Sequence, residues 1–214
     1  MSRRKLLTPQ QRNRLLALPR PDELSVIARF YTFSAQDKDL IRQQRGAQNQ
    51  LGYALILAFL RYPGYPFKPQ QPVPDYLLNY IAGQLEINPT EYLYYAQTRA
   101  ETRREHIRAV RKAFGFRQFT PSVRRRFHEI LFALALTTSR SLTLVEAALE
   151  QLRRWQIVFP AFSTIEDLCG EIQQQADESV YHQLTHSLSA LQQHQVFLTL
   201  EKRRTPEFTY LGWL

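Results

Sequence analysis

The segment 47–61 constrains this chain more than any other stretch. Its core, 53–60, is the longest apolar run in the sequence and ends at Arg61. A bilayer crossing needs roughly 20 such residues, so the run does not span a membrane. Leu51, Ala54, Leu55, Ala58 and Phe59 recur at helical spacing, with Gly46 before the segment and Pro63-Gly64 closing it. The spacing predicts a largely buried helix around which the neighbouring elements must pack. With 214 residues, 44% of them hydrophobic, the chain can build one large core or two of ordinary size.

The flanking sequence is punctuated for helices. Thr8-Pro9-Gln10-Gln11 combines a capping hydroxyl, a first-turn proline and a Gln placed to complete a capping box. That helix ends by Pro19. Further helices are expected at 22–30 and from the cap Ser34 to Gly46, where Leu40 and Ile41 form the apolar side. The proline-rich stretch 62–74 cannot continue a helix and reads as a connection across the surface. Helices resume at 75–84, 89–96 and 98–114, with Gly115 as the stop, and Thr120-Pro121 opens another that runs to Leu136. Segments 142–154, 163–175 and 179–195 complete the set, and 196–214 is expected as a hairpin or an irregular exit. The fold class is all-α, in two helical domains with helix-turn-helix-like modules, 1–116 and 117–214, divided near Gly115–Thr120.

Charge narrows the partner. The net charge is +9. Between Arg99 and Arg126 ten basic residues stand against two acidic ones, Glu101 and Glu105, so nearly all the excess lies there. A solvated helix face mixes signs to avoid self-repulsion, and a concentrated excess of one sign reads as a surface for phosphates. Arginine outnumbers lysine, and its planar fork suits bidentate contact with phosphate or guanine. The single cysteine, Cys169, excludes an internal disulfide and a cysteine-rich zinc module and fits a reducing, cytoplasmic setting. The basic start at Met1–Lys5 has no apolar segment behind it and is not a signal peptide. Neither membrane nor cofactor is expected as a partner.

Two places carry a helix, a tight turn and a second helix, the arrangement that delivers a helix start to the DNA major groove. In 34–61, the supporting helix 37–44 carries Arg42, and Arg45, Gln48, Asn49 and Gln50 lead the second. Asn and Gln can pair bidentately with adenine, and Arg45 can reach guanine or phosphate. A plain solvated helix start explains the same residues. In 142–175, Ser163 and Thr164 cap the second helix, with Glu166 completing a capping box, so these hydroxyls either serve the backbone or donate to phosphate. Arg103 and Arg104, beside His106, cannot both be buried on one helix, and either phosphate or the carboxylates of Glu101 and Glu105 answer them. Arg124, Arg125 and Arg126 oppose the dipole of the helix they open, a cost that a bound anion would offset. His182 and His186 stand four apart, but the sequence offers no clear third metal ligand and Gln183 replaces the Glu of the hydrolytic zinc motif, so two surface histidines are expected. Neither a phosphate loop, a nucleophile elbow nor a spaced acidic triad is present, and no catalytic residue is assigned.

Several segments together resemble the N-terminal region of the Tn-three family of replicative transposases. They are Lys5-Leu6-Leu7-Thr8 through Arg12, Leu40-Ile41-Arg42 with Arg45-Gly46, Asn49 with Leu51-Gly52, and Leu60-Arg61-Tyr62-Pro63-Gly64. Thr102-Arg103-Arg104-Glu105-His106, Phe114-Gly115-Phe116-Arg117 and Phe159-Pro160 with Ser163-Thr164-Ile165 extend the likeness. The resemblance implies recognition of transposon terminal inverted repeats in double-stranded DNA, at the bacterial nucleoid, by a non-catalytic region working with the remainder of the transposase, as a dimer. Such transposases keep three metal-binding acidic residues far downstream, which this chain is not expected to reach. A helical scaffold that docks protein and an RNA-binding helical module are the rival readings.

Overall fold

A computed structural model of the chain describes residues 6–67, 72–186 and 188–200, with side chains to 196. Within them the fold is all-α: α1 (Pro9–Leu16), α2 (Leu24–Tyr31), α3 (Ala35–Arg42), α4 (Ala47–Arg61), α5 (Asp75–Leu85), α6 (Glu91–Ala96), α7 (Ala100–Ala113), α8 (Pro121–Ala135), α9 (Ser141–Arg154), α10 (Phe162–His186) and α11 (Ala190–Leu200). Among the described residues there is no strand, only an isolated parallel bridge between Arg117 and Ile157.

Several starts follow side chains that satisfy orphan backbone N–H groups. Thr8 and Ser34 each accept from the third residue onward, Gln11 and Asp37, whose side chains reach back to complete a capping box. Thr120 caps α8, with Pro121 in its first turn.

The helix read from 47–61 is α4, and every residue from Leu51 to Leu60 is buried. Neighbours α2, α3, α5, α6 and α7 pack around it. Each fully buried Leu, Ile or Phe there contributes on the order of 2 kcal/mol. Among the polar residues buried here is Asp37, at 7% exposure. Both of its carboxylate oxygens accept from Nη2 of Arg61 at 2.9 Å, so one carboxylate starts α3 and ties it to the end of α4. Helices α8, α9 and α10 enclose a second core of Phe127, Leu131, Leu144, Leu149, Leu152, Ile165, Leu168 and Ile172.

The two cores are keyed together by Arg153. Its side chain is 11% exposed, donates from Nε to the Pro63 carbonyl at 3.2 Å, and lies over the rings of Tyr62 at 4.6 Å and Phe159 at 5.4 Å. Burial pulls its pKa down, an effect opposed by Tyr62 and Glu150. Beside it the Phe159 N–H donates to the Gly64 carbonyl at 2.9 Å, and Gly64, at φ +115°, lies against the Phe159 ring where a Cβ would come within 2.5 Å.

Two expectations change. Segments 163–175 and 179–195 are not separate helices: α10 runs unbroken through 176–178, because Ile172, Gln173 and Ala176 stay buried and Gln173 bonds to Asp177 and Gln174 to Glu178 across single turns. The interruption falls later, where Ser189 caps α11 in a reciprocal bond with Gln192. Residues 196–200 are helical and not part of a hairpin, and 201–214 lie outside the described residues. The segment before α1 also contributes to the second core. Leu7 is buried in the second core, with Leu6 and Leu15 packed on it. Glu166 of α10 holds that segment by accepting from the Leu7 N–H at 3.3 Å and Arg12 Nη2 at 2.8 Å.

Candidate nucleic-acid interface

The first turn of α4 and the loop before it hold the first set of expected residues. Gly46 adopts φ +88°, a conformation that admits little but glycine. Arg45 is exposed and forms no ion pair among the described residues. Asn49 and Gln50 have structural work instead: Asn49 Nδ2 donates to the Arg45 carbonyl at 2.8 Å, and Gln50 Nε2 donates to the carbonyls of Gln44 at 3.0 Å and Arg42 at 3.3 Å. The amides that were candidates for reading adenine therefore stitch the turn. Gln48 leans over Gly46, and Arg42 is exposed, 4.0 Å from Asp39. Helix α4 is buried from Leu51 to Leu60, and its first turn is only partly buried.

On α7 the expected residues face different ways. His106 is 9% exposed and does not belong on a DNA surface. Its Nδ1 lies 3.1 Å from the Tyr95 hydroxyl, its ring stacks on Tyr95 at 5.8 Å, and Tyr53 meets it edge-on. Burial lowers its pKa, with Glu105 opposing, and helical spacing carries it inward along with Val110. Arg103 is half-buried and donates to the Thr98 carbonyl. Arg104 is exposed but 3.2 Å from Glu101, which also takes Arg108 at 3.7 Å. Glu101 thus answers Arg104 and Arg108, while Arg103 makes no ion pair among the described residues.

The helix start at Arg124–Arg126 lies elsewhere, on α8. Arg124 is 2.9 Å from Glu171 of α10. Arg125 is exposed with no ion pair, and Arg126 lies 4.9 Å over the Trp155 ring at the end of α9. Trp155 is also held by Arg117, a residue without an assigned role in the sequence reading: Arg117 Nη2 donates to the Trp155 carbonyl at 3.2 Å. The Arg117 N–H donates to the Gln156 carbonyl and its own carbonyl accepts from the Val158 N–H, both at 2.9 Å. Gln156 Nε2 reaches the Phe114 carbonyl at 3.2 Å. The α9–α10 turn, the α7–α8 connection and the start of α8 are thereby joined. Arg111, Lys112, Arg117, Arg125 and Arg126 make no ion pair among the described residues, whereas Arg12, Arg20, Arg29, Arg61, Arg153 and Arg154 all do.

At the tip of α10, Ser163 and Thr164 are exposed in the first turn. The capping box with Glu166 is not made, since that carboxylate is buried and committed to Leu7 and Arg12. Farther along, the outer face carries Asp167, Glu171, Asp177 and Glu178, so only the tip of this helix suits a phosphate. No hydrogen bond, ion pair or ring contact among the described residues links the Arg45–Gln50 turn to this second group. His182 and His186 stack at 5.7 Å on the exposed part of α10.

Comparison with known proteins gives the chain its family. Residues 6–172 match the family model described as "Domain of unknown function (DUF4158)", and the chain belongs to that family. Among curated relatives it is 37% identical over 214 residues to the transposase for transposon Tn3926 of Escherichia coli. It is 35% identical over 214 residues to the transposase for transposon Tn501 of Pseudomonas aeruginosa, and 32% over 213 to that for transposon Tn1546 of Enterococcus faecium. These matches cover 100%, 100% and 99% of this chain and 21% of each relative, so the chain spans about a fifth of their length. The likeness to Tn-three family transposases read from the sequence holds. No helix among the described residues is long and apolar enough to cross a membrane.

Proposed function

We propose that this chain is the region of a Tn-three family transposase that binds double-stranded DNA at the terminal inverted repeats of its transposon. It contributes recognition rather than chemistry and works with the remainder of the transposase, as a dimer, in the bacterial cytoplasm at the nucleoid. The observation that carries this reading is that Arg111, Lys112, Arg117, Arg125 and Arg126, all within the basic stretch 99–126, make no ion pair among the described residues. Unpaired guanidiniums at a surface gain most from a polyanion, whose condensed counterions they release. Sequence reading belongs to the exposed tips, Arg45 with Gln48 on α4 and Ser163 with Thr164 on α10.

The test is a titration of the repeat end against a scrambled duplex at two salt concentrations. Five neutralised phosphates give a log–log salt slope of about −4.5, hence about a 500-fold loss of affinity between 50 and 200 mM salt. Tighter binding to the repeat at both salts is expected, and equal binding to both duplexes removes end recognition. Protein docking is the second reading, favoured by the exposed Tyr181, at 68%, and Leu191, at 71%, on α10 and α11. Salt-insensitive association with protein, with no duplex binding, would establish it.

A further inference from the structure

Arg117 and Arg126 are nine positions apart in sequence but converge on one residue. Arg117 holds the Trp155 carbonyl and Arg126 covers the Trp155 ring, whose other neighbour is the fully buried Phe127 at 6.3 Å. Trp155 is thus a half-buried plate anchored in the second core, with a guanidinium on its outer side. The strand-like bridge between Arg117 and Ile157 fixes the arrangement and crosses from one core to the other, since Phe116 and Val158 pack on the first core and Ile157 lies in the second. Nearby, the Arg111 carbonyl accepts from the Phe116 N–H, and Arg111 leaves its buried Nε without a hydrogen bond.

From these contacts we infer that Arg117 and Arg126, set on Trp155, form a phosphate clamp for duplex DNA at the seam between the two cores. The inference rests on the DNA-binding reading and deepens it by moving the main backbone contact away from the whole Arg124–Arg126 run. Arg124 is already answered by Glu171, so the clamp uses Arg126 from that run together with Arg117, which the run does not contain. A phosphate bound there competes with the Trp155 ring for the Arg126 guanidinium. A charge-assisted bond to phosphate outcompetes an exposed cation–π contact, so Arg126 leaves the ring when DNA binds. Because Arg117 ties both cores to the same turn, a duplex held at this place bears on the two cores together.

The sequence carries two tryptophans, Trp155 and Trp213, and this supplies the readout. In the full chain with Trp213→Phe, Trp155 is the only indole, and its emission is followed while duplex is added at 50 mM salt. A saturable change in emission is expected at the same duplex concentration that gives half-maximal binding by anisotropy. Arg117→Ala with Arg126→Gln is expected to lower the magnitude of the salt slope by about 1.8, roughly 0.9 for each lost phosphate contact, on specific and scrambled duplexes alike. Arg20→Ala, whose guanidinium pairs with Asp22 and Glu23 on α1–α2, serves as the control and keeps the parent slope. Thermal melts of each variant separate loss of contact from loss of fold, and the emission titration needs no arginine variant. Salt-dependent duplex binding with unchanged Trp155 emission and an unchanged slope in the double variant overturns the clamp and leaves the DNA reading standing. Absence of duplex binding by the parent chain overturns the DNA reading, and the clamp with it. If a folded RNA saturates the emission change at lower concentration than the duplex, the assignment to duplex DNA is overturned.

Discussion

Gly52→Ala places one methyl group where the structure has no room for it. A Cβ built at Gly52 lies 2.2 Å from two atoms of the Tyr95 ring and 2.3 Å from a third, whereas carbon atoms in contact prefer about 3.5–4.0 Å. The ring must retreat by roughly 1.5 Å to restore that spacing. Tyr95 has no solvent exposure, stacks on His106 and holds its Nδ1 by hydrogen bond, so the retreat disturbs the packing of α6 and α7 on α4. Overpacking of this kind costs about 1–3 kcal/mol, and a weakened Tyr95–His106 bond adds about 1 kcal/mol. The better helix propensity of alanine returns about 1 kcal/mol, leaving a net loss of roughly 2 kcal/mol. For a chain of this size that lowers the melting temperature by about 4–8 °C. Gly83→Ala is the matched comparison: Gly83 is exposed within α5 and a Cβ there meets nothing within 4 Å, so alanine stabilises by about 0.4–1 kcal/mol. Thermal unfolding followed by circular dichroism measures both. A Gly52→Ala chain that melts at or above the parent temperature refutes the steric argument, and a lowered Gly83→Ala melt refutes the helix-propensity argument.

Two further outcomes follow from buried groups. Burial holds His106 below its unfolded pKa, so the unfolded chain binds the proton more readily; stability is full above about pH 6.5 and falls as pH drops through the window beneath it. Urea midpoints at pH 8 and pH 5.5 check this, and His106→Gln should flatten the difference. Burial, assisted by nearby Glu166, pushes the Cys169 thiol up to about 12, so a thiol reagent at pH 8 should react only as fast as the chain opens. Rapid labelling of the native chain would contradict the packing assigned to α10.

Helix starts were legible because their signals are local. Thr8 with Gln11, Ser34 and Thr120-Pro121 each carry their hydrogen-bond partner within a few residues, and each cap is formed. The apolar spacing of α4 likewise needed no partner to be read. Where the sequence misled, a distant residue claimed the side chain first. Glu166 sits at capping-box spacing from Ser163 but is taken by Arg12, 154 positions away, and His106 beside two arginines is taken by Tyr95. The basic excess of 99–126 was visible, yet its division into paired and unpaired guanidiniums depends on Glu171 and Trp155, and neither contact leaves a periodic trace.

The burial of Leu7 among α8, α9 and α10 gives the chain a nested wiring. The path begins in the second core, leaves to build the first, and returns to close where it started. During synthesis the first core has all of its own helices once Phe116 has emerged. Leu7 and Arg12 must wait for Glu166, 154 to 159 residues later, before their partner exists. Folding of the first core therefore shortens the effective loop that the second must close, and the order of assembly runs from the inside of the sequence outward.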